Sequence, residues 1–187
     1  VLTALSEITP EYRTVVVAER AEPTDTDIPG EMKVIPNNTF EEVPHPFAFI
    51  VPGGVTPTLR AMSNEAIRSY VRSAAEKADV VSSVCTGALI LGSVGLLEGR
   101  QATTHWAFYK VLEEFGAKYI RRRWVEDGKF ITSAGVSAGI DMALALVARL
   151  TDEATARMVQ LAIEYDPHPP FGGIDWDQVN RDIYEPM

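Results

Sequence analysis

The chain has 187 residues, 46% hydrophobic and 23% charged, with 13 Gly and 12 Pro. That is the size and makeup of one ordinary folded domain and excludes disordered, collagen-like and low-complexity classes. Seventeen basic against 26 acidic side chains leave a formal charge of −9, which repels phosphate backbones and anionic lipid heads, so neither nucleic acid nor membrane is an expected partner.

Arg121-Arg122-Arg123 is a short basic run and reads as a solvated face. A single cysteine, Cys85, rules out an internal disulfide and a multi-thiolate zinc site. No run of 18 apolar residues and no signal-peptide pattern is present, which makes a reducing cytoplasm the expected compartment. Val1-Leu2-Thr3-Ala4-Leu5 reads as the tail of a helix, and the absence of an initial Met leads us to expect a native segment ahead of Val1.

Strand and helix signals then alternate. Residues 13–19 (RTVVVAE) are a β-branched run, and 47–51 (FAFIV) an apolar run stopped by Pro52-Gly53-Gly54. Ser63 or Asn64 opens a helix to about Ala78 whose Ile67, Tyr70, Val71, Ala74, Ala75 and Ala78 share one face. Residues 79–84 (DVVSSV) form a buried strand running into Cys85, and 86–95 a buried helix of small and apolar residues.

Thr103 and Thr104 are candidate caps for a helix carrying Phe108, Val111, Leu112 and Phe115, closed by Gly116. Residues 119–125 and 129–133 flank Asp127-Gly128, a strong hairpin signal. Residues 137–150 form an apolar helix, and Thr151 is expected to cap a last helix over 152–165. The tail from Asp166 reads as surface chain. Buried strands separated by helices specify one α/β domain with a mostly parallel sheet.

Cys85 stands at a strand-to-helix junction with Thr86 and Gly87 behind it. A nucleophile there is carried on a sharp turn at the carboxyl end of a strand, and the following helix offers unpaired N–H groups that stabilise a thiolate. A buried structural cysteine is the alternative. The Pro52-Gly53-Gly54 turn ends the preceding strand, so the amides of Gly54 and Thr86 are candidate oxyanion donors, or the glycines form an ordinary turn. His105, at the start of a helix, is placed to orient a substrate, to relay a proton or to cap the helix. His45 and His168 lie between prolines and read as loop residues.

These pieces together resemble the DJ-1/PfpI (ThiJ) superfamily. The resemblance is carried by Val51-Pro52-Gly53-Gly54, Ser83-Val84-Cys85-Thr86-Gly87-Ala88, Thr103-Thr104-His105-Trp106 and Thr132-Ser133-Ala134-Gly135. Gly135-Val136-Ser137-Ala138-Gly139-Ile140-Asp141 and Glu164-Tyr165-Asp166-Pro167, followed by Pro169-Pro170-Phe171, are most similar to its isocyanide hydratase-like members.

The resemblance implies a flavodoxin-like three-layer sandwich with helices on both faces of the sheet. It implies a homodimer and a small-molecule substrate; Trp176 and Tyr184 in the tail are aromatics suited to an interface or to covering a pocket. It also implies a cofactor- and metal-free hydro-lyase that converts isocyanides to N-substituted formamides. Cys85 and Thr86 would be its catalytic residues, and Gly53, Gly54 and His105 would line the substrate or oxyanion site.

PfpI-type peptidases carry His after the cysteine where this chain has Thr86, and no histidine lies near Ala134-Gly135-Val136, where amidotransferases place theirs. The resemblance instead implies a thiolate activated without a histidine, with the Thr86 hydroxyl as a hydrogen-bonding neighbour. The acidic partner of such a cysteine would come from a segment before Val1. The alternatives are a ligand-sensing domain of the kind fused to AraC-type regulators, disfavoured for direct DNA binding by the negative charge and the lack of a helix-turn-helix pattern, or an oxidant-sensing or glyoxal-directed thiol protein.

Overall fold

A computed structural model of the chain describes residues 1–26 and 32–179; Tyr184 lies outside the described residues. In chain order the elements are α1 (Leu2–Ile8), β1 (Val17–Ala18), β2 (Thr24–Asp25), β3 (Lys33–Val34), β4 (Asn38–Thr39) and β5 (Ala48–Val51), then α2 (Thr56–Ser63), α3 (Glu65–Lys77), β6 (Val80–Val84) and α4 (Gly87–Ser93). The second half adds β7 (Gln101–Ala102), a 3-10 turn over Trp106–Phe108, α5 (Tyr109–Glu114), β8 (Lys118–Tyr119), β9 (Trp124–Asp127), β10 (Phe130–Ser133), α6 (Ala138–Leu150) and α7 (Glu153–Ala162).

The main sheet has the order β5-β6-β10-β9, with the first three strands parallel and β9 antiparallel at the edge. This is the mixed α/β architecture with a mostly parallel sheet that the alternating pattern specifies. Register sets which side chains share a face. Phe49 and Phe130 both pair with Val81, and all three join a core with Val71 and Ala75 of α3 and Leu89 and Leu91 of α4. On the opposite face Val84 meets Gly139 at the start of α6, where an added Cβ would come within 2.9 Å of a valine methyl.

The helix ends follow local chemistry. Asn64 caps α3 by accepting from the Ala66 and Ile67 amides at 2.8 and 3.1 Å. Gly128 supplies the positive φ of 64° that the two-residue β9–β10 loop needs at its first position.

The chain divides into two compact units, one from Thr14 to Met142 and one joining Val1–Arg13 to the residues from Ala143 onward. The second unit is held by Leu5 of α1, Val147 of α6 and Ala156 and Val159 of α7, and by the Tyr12 hydroxyl donating to Leu150 O at 2.9 Å.

Four local expectations are corrected. Residues 13–19 contribute only the two-residue β1, paired in parallel with β4. Residues 119–125 do not form one strand: the Arg122 amide folds back on Ile120 O, the arginine run turns outward, and β8 and β9 separate around it. Asp152 rather than Thr151 caps α7, accepting from Thr155 N at 2.7 Å, while the Thr151 hydroxyl bonds back to Val147 O. Thr103 and Thr104 are fully buried and cap nothing; His105 caps the turn that follows.

Candidate active site

Strands β5, β6 and β10 end side by side, with Val51 opposite Ser83 and Ser133 opposite Val84. The turns leaving these ends therefore gather at one edge of the sheet, the usual ligand position in open parallel sheets. Cys85 leaves β6 there with φ 59°, in the left-handed region. For a residue with a Cβ this conformation costs about 1–3 kcal/mol. The strained elbow expected from its strand-to-helix position is present, and Cys85 is half-buried.

Three neighbouring segments hold this backbone. The Cys85 amide is shared between Ser133 O at 3.1 Å and Ala134 O at 2.9 Å, both at the end of β10. The Cys85 carbonyl accepts from the Thr104 hydroxyl at 2.9 Å. Thr103 beside it gives its amide to Thr132 Oγ1 at 2.8 Å and its hydroxyl to Arg122 O at 3.2 Å. The two threonines read from the sequence as helix caps are struts between the elbow, β10 and the arginine loop.

The third segment is the Pro52-Gly53-Gly54 turn. An added Cβ on Gly87 would fall 2.2 Å from Val51 O, and one on Gly53 would fall 2.8 Å from Cys85 Cβ, Thr86 N and Thr86 Oγ1. No real Cβ fits at either place, so two glycines let the turn and elbow nest. The Thr86 hydroxyl then fastens them. It donates to Gly54 O at 2.5 Å, accepts from Gly54 N at 2.9 Å and lies 2.9 Å from Thr58 Oγ1.

This clasp changes two expected roles. The Gly54 amide, expected as an oxyanion donor, is spent on Thr86 Oγ1. The Thr86 hydroxyl, expected to stand beside the thiol as a hydrogen-bonding group, is 2% exposed at the residue level and committed to the turn. Thr86 is the N-cap of α4 yet gives its side chain to no amide of that helix. The backbone amides of Thr86 and Gly87 have no acceptor among the described residues.

His105 stands close by: an added Cβ on Gly135 would lie 3.4 Å from its Cδ2. Its Nδ1 accepts the Ala107 amide at 3.3 Å, which leaves Nε2 to carry the proton of the neutral ring. Burial pushes its pKa below the ordinary 6.5, and the Ala107 amide acts in the same direction, since a protonated Nδ1 would face another donor. Of the roles open to this residue, capping is the one the geometry displays. Cys85, Thr86, Gly53, Gly54 and His105 are thus brought together around one elbow, and Thr58 and Thr104 are the additions.

Arg123 forms an ion pair with Asp141. A cleft of about 520 Å³ along β9, with Arg122, Arg123 and Trp124 in its wall, contains none of the five expected site residues. Among the described residues no cluster of three or more His, Cys, Asp or Glu is placed to hold a metal ion, and no helix is long and apolar enough to cross a membrane.

A strained cysteine elbow at the carboxyl edge of a parallel sheet defines a class, and the comparisons agree with it. Residues 2–149 match the DJ-1/PfpI family; the chain belongs to that family. It is 45% identical over 142 residues to isonitrile hydratase of Pseudomonas putida, covering 75% of this chain and 61% of that protein. Among solved structures, a ThiJ/PfpI family protein from Pseudomonas syringae superposes with a TM-score of 0.81 at 38% identity, covering 84% of this chain and 65% of the other. A DJ-1 superfamily protein from Salmonella typhimurium, 23% identical with a TM-score of 0.75 and 89% coverage of both chains, shares the fold. The chain thus spans less than two thirds of the length of the isonitrile hydratase and of the P. syringae protein.

Thr86→Val keeps the branched shape but strands Gly54 N, Gly54 O and the Thr58 hydroxyl. We expect it to lower unfolding free energy by about 1–3 kcal/mol, the cost of leaving the buried Thr58 hydroxyl stranded; denaturant melts with an unchanged midpoint would refute the clasp. For His105 the folded ring binds protons less readily than the unfolded one. Its contribution to stability is therefore complete above pH 6.5 and is lost as pH falls toward the lower folded value. Proton NMR should find the ring titrating below 6.5, and His105→Gln should flatten the stability profile in that window; titration at or above 6.5 would contradict the placement.

Proposed function

We propose that the chain is the Cys85-bearing part of an isocyanide hydratase-like lyase. The observation that carries this reading is the 45% identity to isonitrile hydratase over three quarters of the chain; the elbow geometry at Cys85 is consistent with it. Isocyanides have an electrophilic terminal carbon. Attack by the Cys85 thiolate forms a C–S bond and, once that carbon is protonated, a thioimidate. Water adds to the C=N carbon while nitrogen takes a proton. The added hydroxyl then gives up its proton as the C–S bond breaks, the electron pair of that bond returns to sulfur, and an N-substituted formamide is released.

Cys85 is the nucleophile in this scheme, and the free amides of Thr86 and Gly87 are the groups offered to a nearby negative charge. Thr86 and Gly53 shape the elbow rather than touch substrate, and His105 forms a neutral wall. The carboxylate that family resemblance implies beside the cysteine is assigned to no residue of this chain. A reducing cytoplasm suits a reactive thiol.

A sensing role draws support from 32% identity over 120 residues to the HTH-type transcriptional regulator CdhR of Pseudomonas aeruginosa, though the chain covers only 35% of that protein. The same thiol would serve glyoxal chemistry, and deglycase PfpI of Pyrococcus furiosus is 34% identical over 97 residues.

Purified protein given a simple alkyl or aryl isocyanide should form the formamide, followed by ultraviolet absorbance, and Cys85→Ala should abolish turnover while the fold survives. His105→Gln should retain most of the rate. Equal collapse of both variants would assign the base to His105 instead. Turnover of glyoxals but not isocyanides would favour the deglycase reading, and turnover of neither would favour the sensor. We also propose a homodimer, with Trp176 among its interface aromatics. Light scattering at micromolar concentration should give twice the 20.5 kDa chain mass, and a value near the single-chain mass would exclude the dimer.

A further inference from the structure

Thr58 lies within α2 and is 3% exposed. Threonine is a poorer helix former than alanine or leucine, and burying its hydroxyl is costly unless that group is bonded. Its hydroxyl lies 2.9 Å from Thr86 Oγ1. Hydrogen accounting fixes the direction of this bond. A hydroxyl has one hydrogen and two lone pairs. The Thr86 hydrogen goes to Gly54 O and one lone pair receives Gly54 N–H. The remaining lone pair faces Thr58, so Thr58 is the donor and Thr86 Oγ1 is saturated.

We infer that Thr58 is a positioning residue for Cys85: by filling the last acceptor position on Thr86 it locks the Gly53-Gly54 turn against the elbow and so holds the backbone that presents the thiol. The inference rests on reading Cys85 as the reactive group. The mechanical link is short. Gly53 packs so closely on Cys85 Cβ and Thr86 N that no Cβ fits between them. A turn free to shift therefore moves against the nucleophile itself. Removing the Thr58 hydroxyl empties one acceptor position on Thr86 and leaves that hydroxyl anchored by Gly54 alone. The clasp is then less firmly oriented and opposes relaxation of φ at Cys85 less strongly.

The test uses iodoacetamide alkylation of Cys85 in the whole chain, measured across pH beside a thermal melt. Thr58→Val should slow alkylation at neutral pH by about tenfold, the scale of one hydrogen bond, and move the midpoint of the rate profile upward. Thr58→Ser, which restores the hydroxyl, should return the rate to within about twofold. A purely structural role would lower the melting temperature without moving the midpoint. That outcome, an unchanged rate in Thr58→Val, or failure of Thr58→Ser to rescue would each overturn the inference. If Thr58→Val does not fold, Thr58→Ala is read by the same criteria. Alkylation needs no isocyanide, so an absence of hydratase turnover would sink the proposed function and leave this assignment standing.

Discussion

A cysteine cannot rest at φ 59° unless its surroundings give the backbone no easier choice. The amide of Cys85 is taken by two carbonyls at the end of β10, its carbonyl by Thr104, and the following side chain by the Gly54 turn and Thr58. Each bond is worth about 0.5–1.5 kcal/mol net, so together they outweigh the cost of about 1–3 kcal/mol for the left-handed residue. The rest of the fold can be understood as the scaffold that delivers those partners.

The delivery is done by parallel pairing. Because β5, β6 and β10 run the same way in matched register, the segments that leave them arrive together. Pro52 ends one, Cys85 turns out of the second, and Ala134 and Gly135 leave the third. Close approach then becomes the limiting requirement, and glycine meets it at positions 53 and 87, where the carbonyls and side chains of the opposing segment occupy the space of a Cβ. The buried hydroxyls of Thr58, Thr86, Thr103 and Thr104 bond between the segments so gathered.

Much of this was legible in the residues. The apolar runs at 47–51 and 79–84 became β5 and β6, Asn64 and Asp127-Gly128 did what their local chemistry dictates, and the elbow at Cys85 followed from strand, cysteine and small residues in succession. The threonines were not legible. A threonine ahead of a helix looks like a cap because capping is a local interaction, whereas the partners of Thr104 and Thr86 lie 19 and 32 positions away along the chain. The same distance effect misdirected the reading of Gly54: which amide of a glycine turn stays open depends on a side chain that sequence proximity does not reveal. Strands β1, β7 and β8 were blurred for a simpler reason, since two residues are too few to show a period of two.

The sequence separation of these contacts has a kinetic consequence. The groups that hold the Cys85 elbow include several from distant stretches: Gly54, Thr58, Thr104, Ser133 and Ala134. Contacts that close long loops are entropically expensive and tend to consolidate after local helices and hairpins. The elbow is therefore completed only when the sheet has assembled around it. Until then Cys85 is an ordinary thiol on a flexible chain, so its distinctive environment belongs to the finished fold and cannot be had from the elbow peptide alone.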